Sequence, residues 1–176
     1  GWVHRDVTPA NIMILSDGTV KLMDFGVVKI PGHELTVAGE VIGTAAYISP
    51  EQIKGEEVDS RADLYALGTS LYLMLTGRRP FNARTLAGYL DKHLRKAPDP
   101  PHVHAPMAPK RLELACLRLL EKDPEKRFAS ANHLLRYLNA TATSSPDRLI
   151  GRTWEISQIR EQLAALEQGN GGVLCF

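Results

Sequence analysis

Two oxygen-bearing side chains near the start of the chain, Asn11 and Asp24, could together hold a metal ion. Two short apolar segments surround Asp17-Gly18, and an Asp-Gly pair between such segments is a strong signal for a β-hairpin. A two-residue turn there would place Asn11 opposite Asp24 at the open end of the hairpin, with the carboxylate of Asp6 nearby. Oxygen ligands of this kind suit Mg²⁺, which keeps positions free for phosphates and water. Taken alone, Asn11 or Asp24 would be read as a residue that merely flanks a strand, as Asn and Asp often do. The metal-site prediction therefore depends on the two occurring together.

A longer pattern around these residues resembles the protein kinase family. The segment His4-Arg5-Asp6-Val7-Thr8-Pro9-Ala10-Asn11 has the spacing of the kinase catalytic loop, and Asp24-Phe25-Gly26 resembles its metal-binding triplet. The later landmarks of that family follow in order: Gly43-Thr44, Ser49-Pro50-Glu51, Asp63-Leu64-Tyr65-Ala66-Leu67-Gly68 and Asp123-Pro124-Glu125-Lys126-Arg127-Phe128. Ser49 stands where the family usually has Ala. The pattern covers residues 1 to about 139 and is most similar to bacterial serine/threonine kinases.

This resemblance implies a catalytic role for three residues. Asp6 would accept the proton of the substrate hydroxyl and aim its oxygen at the γ-phosphate of ATP. Asn11 and Asp24 would hold Mg²⁺, which neutralises charge on the phosphate oxygens. The implied activity is transfer of the γ-phosphate of ATP to Ser or Thr hydroxyls of a protein substrate, with ATP and Mg²⁺ as cofactors.

The resemblance also implies roles in the activation segment. Arg5 would tie the catalytic loop to that segment, through a phosphate on Thr36, and Thr44 would contact Asp6 and help to select a Ser or Thr acceptor.

Three further residues would support the fold. Glu51 and Arg127 would form a buried ion pair. Asp63 would accept backbone N–H groups of the catalytic loop, although a first-turn acid favoured by the helix dipole is an alternative reading.

The chain departs from the kinase pattern in two ways. Thr8 stands where serine/threonine kinases usually carry a lysine that contacts the transferred phosphate, and loss of one such donor typically costs about 10²–10³ in rate. The sequence starts at the catalytic loop, so the Gly-rich loop, lysine and glutamate of the N-lobe are expected to be missing from this fragment. We therefore expect the isolated fragment to be inactive, with the missing N-lobe as its partner in the full-length protein. The alternatives are a pseudokinase that acts as a regulatory scaffold, which Thr8 favours, and a non-functional gene fragment.

The surrounding sequence predicts a mainly helical fold with a small β-hairpin, an incomplete α+β kinase-like C-lobe. Strands are expected at 12–15 and 19–23. Helices are expected from Asp59 or Ser60 to Thr76 with Gly77 as the stop, from an Asn82 cap, along the apolar positions from 112 to 120, and from near Ser130. The proline-rich stretch at 98–109 cannot be helical.

The kinase-like part is expected to be followed by two other segments. Residues 1–139 form the partial kinase domain, and the small polar residues of 140–148 predict a linker. Residues 149–176 are similar to the lead-in of signalling ATPase domains that are fused to some bacterial kinases, and they stop before a phosphate-binding loop.

Composition excludes several other classes. The formal net charge of +1 gives no sign of nucleic-acid binding, and no apolar run is long enough for a membrane segment. Cys116 and Cys175 lack disulfide or metal spacing, and no export signal is visible, so a reducing cytoplasm is expected.

Overall fold

The computed structural model describes residues 3–23 and 45–140 of the 176-residue chain. This part is mostly helical: α1 Pro50–Lys54, α2 Ser60–Thr76, α3 Leu86–Arg95, α4 Lys110–Leu119 and α5 Ala131–Asn139. Strands β1 Ile12–Ile14 and β2 Val20–Leu22 form a small antiparallel sheet. Short 3₁₀ turns lie at Pro9–Asn11, Pro101–Val103 and Pro124–Lys126. The mainly helical fold with one hairpin is the predicted fold class.

Helix α2 is the central element, and its ends lie where the sequence predicts them. The side chain of Asp59 caps the first turn by accepting from the backbone N–H of Arg61 at 2.8 Å. The helix ends at Gly77, which adopts a left-handed conformation that glycine reaches without a steric penalty. Both end signals are local, which explains why the sequence alone is sufficient to find them.

Two apolar clusters share helix α2. The larger cluster packs α2 against α4 and α5, through buried residues that include Tyr65, Leu119 and Phe128. Helices α2 and α4 come so close at Gly68 that a Cβ atom added to this glycine would lie 2.7 Å from the Cβ of Leu119. The smaller cluster joins Ala66 of α2 to the hairpin, to residues 45–47 and to α3. Helix α2 therefore connects the hairpin region to the C-terminal helices.

The hairpin register differs from the prediction. Ile12 pairs with Leu22 and Ile14 with Val20, so Asn11 lies opposite Met23 and the proposed pairing of Asn11 with Asp24 is wrong. The turn contains three residues rather than two, because the Asp17 carboxylate accepts from the N–H of Thr19 at 2.8 Å and Gly18 adopts a φ of 85°.

Helix α3 begins later than predicted. Its cap is Thr85, whose side chain accepts from the N–H of Gly88 at 3.1 Å, and not Asn82. Asn82 stays in the preceding loop, where its carbonyl accepts from the Lys92 ammonium. Both residue types cap helices well, so the sequence does not distinguish them.

Within residues 3–23 and 45–140, no helix combines the length and apolar character needed to cross a membrane. Except for Ala140, the predicted linker and the predicted ATPase-like segment lie outside the described residues.

Candidate active site

The backbone of the predicted catalytic loop is fixed by helix α2. Asp63, in the first turn of α2, accepts from the N–H of His4 with one carboxylate oxygen and from the N–H of Arg5 with the other, both at 2.8 Å. Burial raises the pKa of Asp63, and the two N–H donors act against that effect. The structure thus brings Asp63 to the catalytic loop, as the sequence predicts.

Asp6 and Asn11 are in direct contact. The Asn11 Nδ2 atom donates to the Asp6 Oδ2 at 2.9 Å and to the Asp6 backbone oxygen at 2.8 Å. Both partners are acceptors, so the orientation of the Asn11 amide is determined and its carbonyl oxygen is at the other end. That oxygen is a suitable ligand for a hard cation, and the contact holds the Asp6 carboxylate in a defined position beside it.

His4 links the catalytic loop to the end of β2. The N–H of Asp6 donates to the His4 Nδ1 at 3.3 Å, so the neutral ring carries its proton on Nε2 and donates it to the Met23 carbonyl at 3.0 Å. The chain that leads to Asp24 is therefore tied to the same loop that carries Asp6. Asp24 itself lies outside the described residues, as do Thr36 and Thr44.

Glu51 and Arg127 form the predicted ion pair. The two guanidinium nitrogens of Arg127 donate to the two Glu51 oxygens at 2.7 and 2.8 Å, and the residues are only 3% and 2% exposed. Burial alone would raise the pKa of Glu51, but the hydrogen bonds and charge of Arg127 outweigh that effect and lower it. The pair joins α1 to the chain just before α5.

All five N–H groups of Arg127 have acceptors. Besides the two bonds to Glu51, it donates to the backbone carbonyls of Glu121 at 2.8 Å, Arg61 at 2.8 Å and Lys122 at 3.2 Å. A buried charge is tolerated when its hydrogen-bonding groups are satisfied in this way.

Thr8, the main departure from the kinase pattern, precedes the 3₁₀ turn that carries Asn11 and is 7% exposed. Its uncharged hydroxyl is too short to replace a lysine on a phosphate oxygen. The structure thus supplies no substitute for that cation at this position.

One contact of the catalytic loop was not predicted. The Gln52 side chain of α1 donates to the Arg5 carbonyl at 3.2 Å while its oxygen caps α1. The Ser49-x-x-Gln52 spacing is a capping-box signature and could have revealed the cap, but not the contact with Arg5.

Comparisons with known proteins identify relatives of this chain. Residues 1–138 match the family model for the protein kinase domain. The chain is 41% identical over 149 residues to a probable serine/threonine-protein kinase of Streptomyces coelicolor, covering 83% of this chain and 22% of that protein. It is 44% identical over 135 residues to the serine/threonine-protein kinase PknB of Mycolicibacterium smegmatis, covering 74% of this chain and 21% of that protein. The chain thus spans only about a fifth of the length of these curated relatives.

Proposed function

The chain belongs to the protein kinase family, and from this premise we propose that its full-length protein transfers the γ-phosphate of ATP to Ser or Thr hydroxyls of protein substrates. The observation that supports this most is the contact between Asp6 and Asn11, on a loop whose backbone is held by Asp63. The names of the relatives support the choice of Ser and Thr as acceptors.

In this proposal Asp6 accepts the proton of the acceptor hydroxyl. General-base catalysis requires the carboxylate to stay within hydrogen-bonding reach of the proton that it removes, and the Asn11 amide restrains one of its oxygens. Positioning of this kind supplies most of the catalytic power in phosphoryl transfer.

Asn11 and Asp24 are the proposed ligands of Mg²⁺. Both described hydrogen bonds of the Asn11 side chain use its nitrogen, so its oxygen fits a hard cation. When bound, Mg²⁺ would neutralise charge on the phosphate oxygens of ATP. Met23, the residue before Asp24, donates its N–H to the Asn11 carbonyl at 2.7 Å and accepts from the His4 ring at 3.0 Å, which ties the chain leading to Asp24 to the same loop.

The remaining assignments concern regulation and the rest of the protein. We propose that Arg5 binds a phosphate on Thr36 and that Thr44 helps to select the acceptor hydroxyl. An N-lobe in the full-length protein would supply the Gly-rich loop and lysine over ATP, and residues 149–176 would begin an ATPase-like domain after a linker at 140–148. We also propose that the domain lies in the cytoplasm, because its phosphate donor ATP is found there.

A pseudokinase is the second candidate, and Thr8 is the observation that favours it. Without a cation at this position the transferred phosphate lacks one stabilising contact, which typically costs about 10²–10³ in rate. The retained contact between Asp6 and Asn11 favours the enzyme instead.

Transfer of labelled phosphate from Mg-ATP to a generic protein substrate tests the proposal in the full-length protein. Asp6→Asn should lower kcat by about 10²–10⁴, the range for loss of a general base. Asp17→Asn is the matched control, because it makes the same chemical change in the exposed hairpin turn. Equal activity in the Asp6→Asn variant and the wild type would remove the base assignment. A silent wild type rescued by Thr8→Lys would identify the pseudokinase.

A further inference from the structure

We propose that Gln52 is a positioning residue for Asp6: its side chain ties helix α1 to the peptide group between Arg5 and Asp6 and fixes the orientation of that group. The inference rests on the proposed kinase function, in which Asp6 is the base. It assigns to the catalytic machinery a residue that lies 46 positions away from that base in the sequence.

The orientation of the Gln52 amide follows from its partners. Its Oε1 accepts from the N–H of Ser49 at 3.0 Å and from the Ser49 hydroxyl at 2.9 Å, while its Nε2 donates to the carbonyl of Arg5 at 3.2 Å. A backbone N–H can only donate and a carbonyl can only accept, so the reversed amide would put like groups together at both ends. One end of the side chain therefore belongs to the cap of α1 and the other to the catalytic loop.

The peptide group that Gln52 contacts is held from both sides. Its carbonyl, that of Arg5, accepts from Gln52, and its N–H, that of Asp6, donates to the His4 ring at 3.3 Å. The rotation of this group sets ψ of Arg5 and φ of Asp6, and thus the direction in which the Asp6 side chain leaves the backbone. Fixing the group restrains the base itself.

Arg5 needs such restraint because its backbone is strained. Its φ of 67° lies in the left-handed region, where the Cβ atom of a non-glycine residue is crowded. Strained conformations persist where the surroundings determine them. Here Asp63 of α2 holds the N–H of Arg5 and Gln52 of α1 holds its carbonyl, so side chains from two helices act on one residue.

Gln52 can act in this way because α1 is itself fixed. Its neighbour Glu51 is held by two hydrogen bonds from the buried Arg127. Residues 45–47, just before α1, pack in the apolar cluster with the hairpin. A displacement of α1 would therefore pull on the carbonyl of Arg5 and turn the base.

Three variants of the full-length protein separate this role from the capping of α1. Gln52→Glu keeps the oxygen that caps α1 but places a second acceptor against the Arg5 carbonyl. Gln52→Met has a similar length and loses both contacts. Ser49→Ala removes the hydroxyl contacts of the cap. It keeps the backbone N–H of Ser49, which still donates to the Gln52 Oε1 at 3.0 Å and so leaves the contact between Gln52 and Arg5 in place. Each is assayed for phosphate transfer and for hydrogen exchange in residues 3–8.

We expect Gln52→Glu and Gln52→Met to lower kcat by about tenfold, with KM for ATP unchanged within about twofold, because a hydrogen bond that orients the base is lost. Hydrogen exchange in residues 3–8 should become faster in both variants, and neither change should occur in Ser49→Ala. A wild-type kcat in Gln52→Glu, an equal loss in Ser49→Ala, or unfolding of both Gln52 variants would overturn the proposal.

The exchange measurement also separates the two proposals. If the wild-type protein transfers no phosphate, the proposed function fails, and exchange alone decides the role of Gln52. Faster exchange in residues 3–8 of Gln52→Glu, but not of Ser49→Ala, would then support the restraint of the catalytic loop. Unchanged exchange would refute it.

Discussion

Replacing Arg127 by lysine keeps the positive charge but removes the geometry that satisfies the buried site. Arginine donates five N–H groups here: to the two Glu51 oxygens and to the carbonyls of Arg61, Glu121 and Lys122. A lysine ammonium has three donors on a single atom, so at least two buried acceptors lose their partners.

The expected loss in the free energy of unfolding follows from the number of buried acceptors left without a donor. Each buried group left unsatisfied costs about 1–3 kcal/mol, so two of them cost about 2–6 kcal/mol. Breaking a buried ion pair by removing one charge costs about 3–5 kcal/mol. Lysine keeps the positive charge, so we expect Arg127→Lys to destabilise the domain by an amount near the lower end of that range. About 3 kcal/mol corresponds to a fall in Tm of roughly 6–12 °C for a domain of 150–250 residues.

Calorimetry of the kinase domain's transition in the full-length protein would measure this change. Arg95→Lys is the matched control, because Arg95 forms an exposed pair with Asp91 and should change stability by only a few tenths of a kcal/mol. The double variant Glu51→Leu/Arg127→Met should be more stable than Arg127→Met alone, since it leaves no buried charge unpaired. A Tm for Arg127→Lys within 1–2 °C of that of Arg95→Lys would refute the reasoning.

Two further predictions concern the interior of the domain. His93 is fully buried, and burial, followed by the charge of Lys122, lowers its pKa from 6.5 to about 4. The unfolded chain therefore binds a proton between pH 6.5 and 4 that the folded chain does not, so stability should fall by up to about 3 kcal/mol as the pH is lowered through that range. In urea unfolding, the free energy of unfolding of His93→Gln should depend less steeply on pH than that of the wild type. An equal pH dependence in the two proteins would contradict the lowered pKa of His93. Gly68→Ala should destabilise by about 1–3 kcal/mol in the same assay, because its Cβ would meet Leu119, although alanine favours helices; a higher urea midpoint would argue against close packing there.

The sequence predicts best those features that depend on neighbouring residues. Helix α2 has a cap at Asp59 and a stop at Gly77, and both act within one turn of the helix. The hairpin was found for the same reason, but its register was not, because the Asp17 side chain competes with the backbone for the N–H of Thr19 and lengthens the turn. One residue in the turn changes the partner of Asn11.

Contacts between segments that are far apart in the sequence have no local pattern that predicts them. The pair of Glu51 and Arg127 was anticipated through the family resemblance, since no local pattern links residues this far apart. The contact between Gln52 and Arg5 has neither a local signal that points to the loop nor a place in that resemblance. It depends on how α1 packs beside the catalytic loop, and only the folded structure reveals it.

The distance between Glu51 and Arg127 along the chain has a consequence for biosynthesis. The two residues are 76 positions apart, and ribosomes add roughly 5–20 residues per second, so Glu51 is made about 4–15 seconds before its partner. During that interval the nascent chain contains the catalytic loop and α1, but the carboxylate that anchors α1 has no cation and stays hydrated outside a finished core. Translation order therefore delays the anchoring of α1 until Arg127 has been made, and a ribosome that stalls before Arg127 holds a chain in which Glu51 lacks its cation.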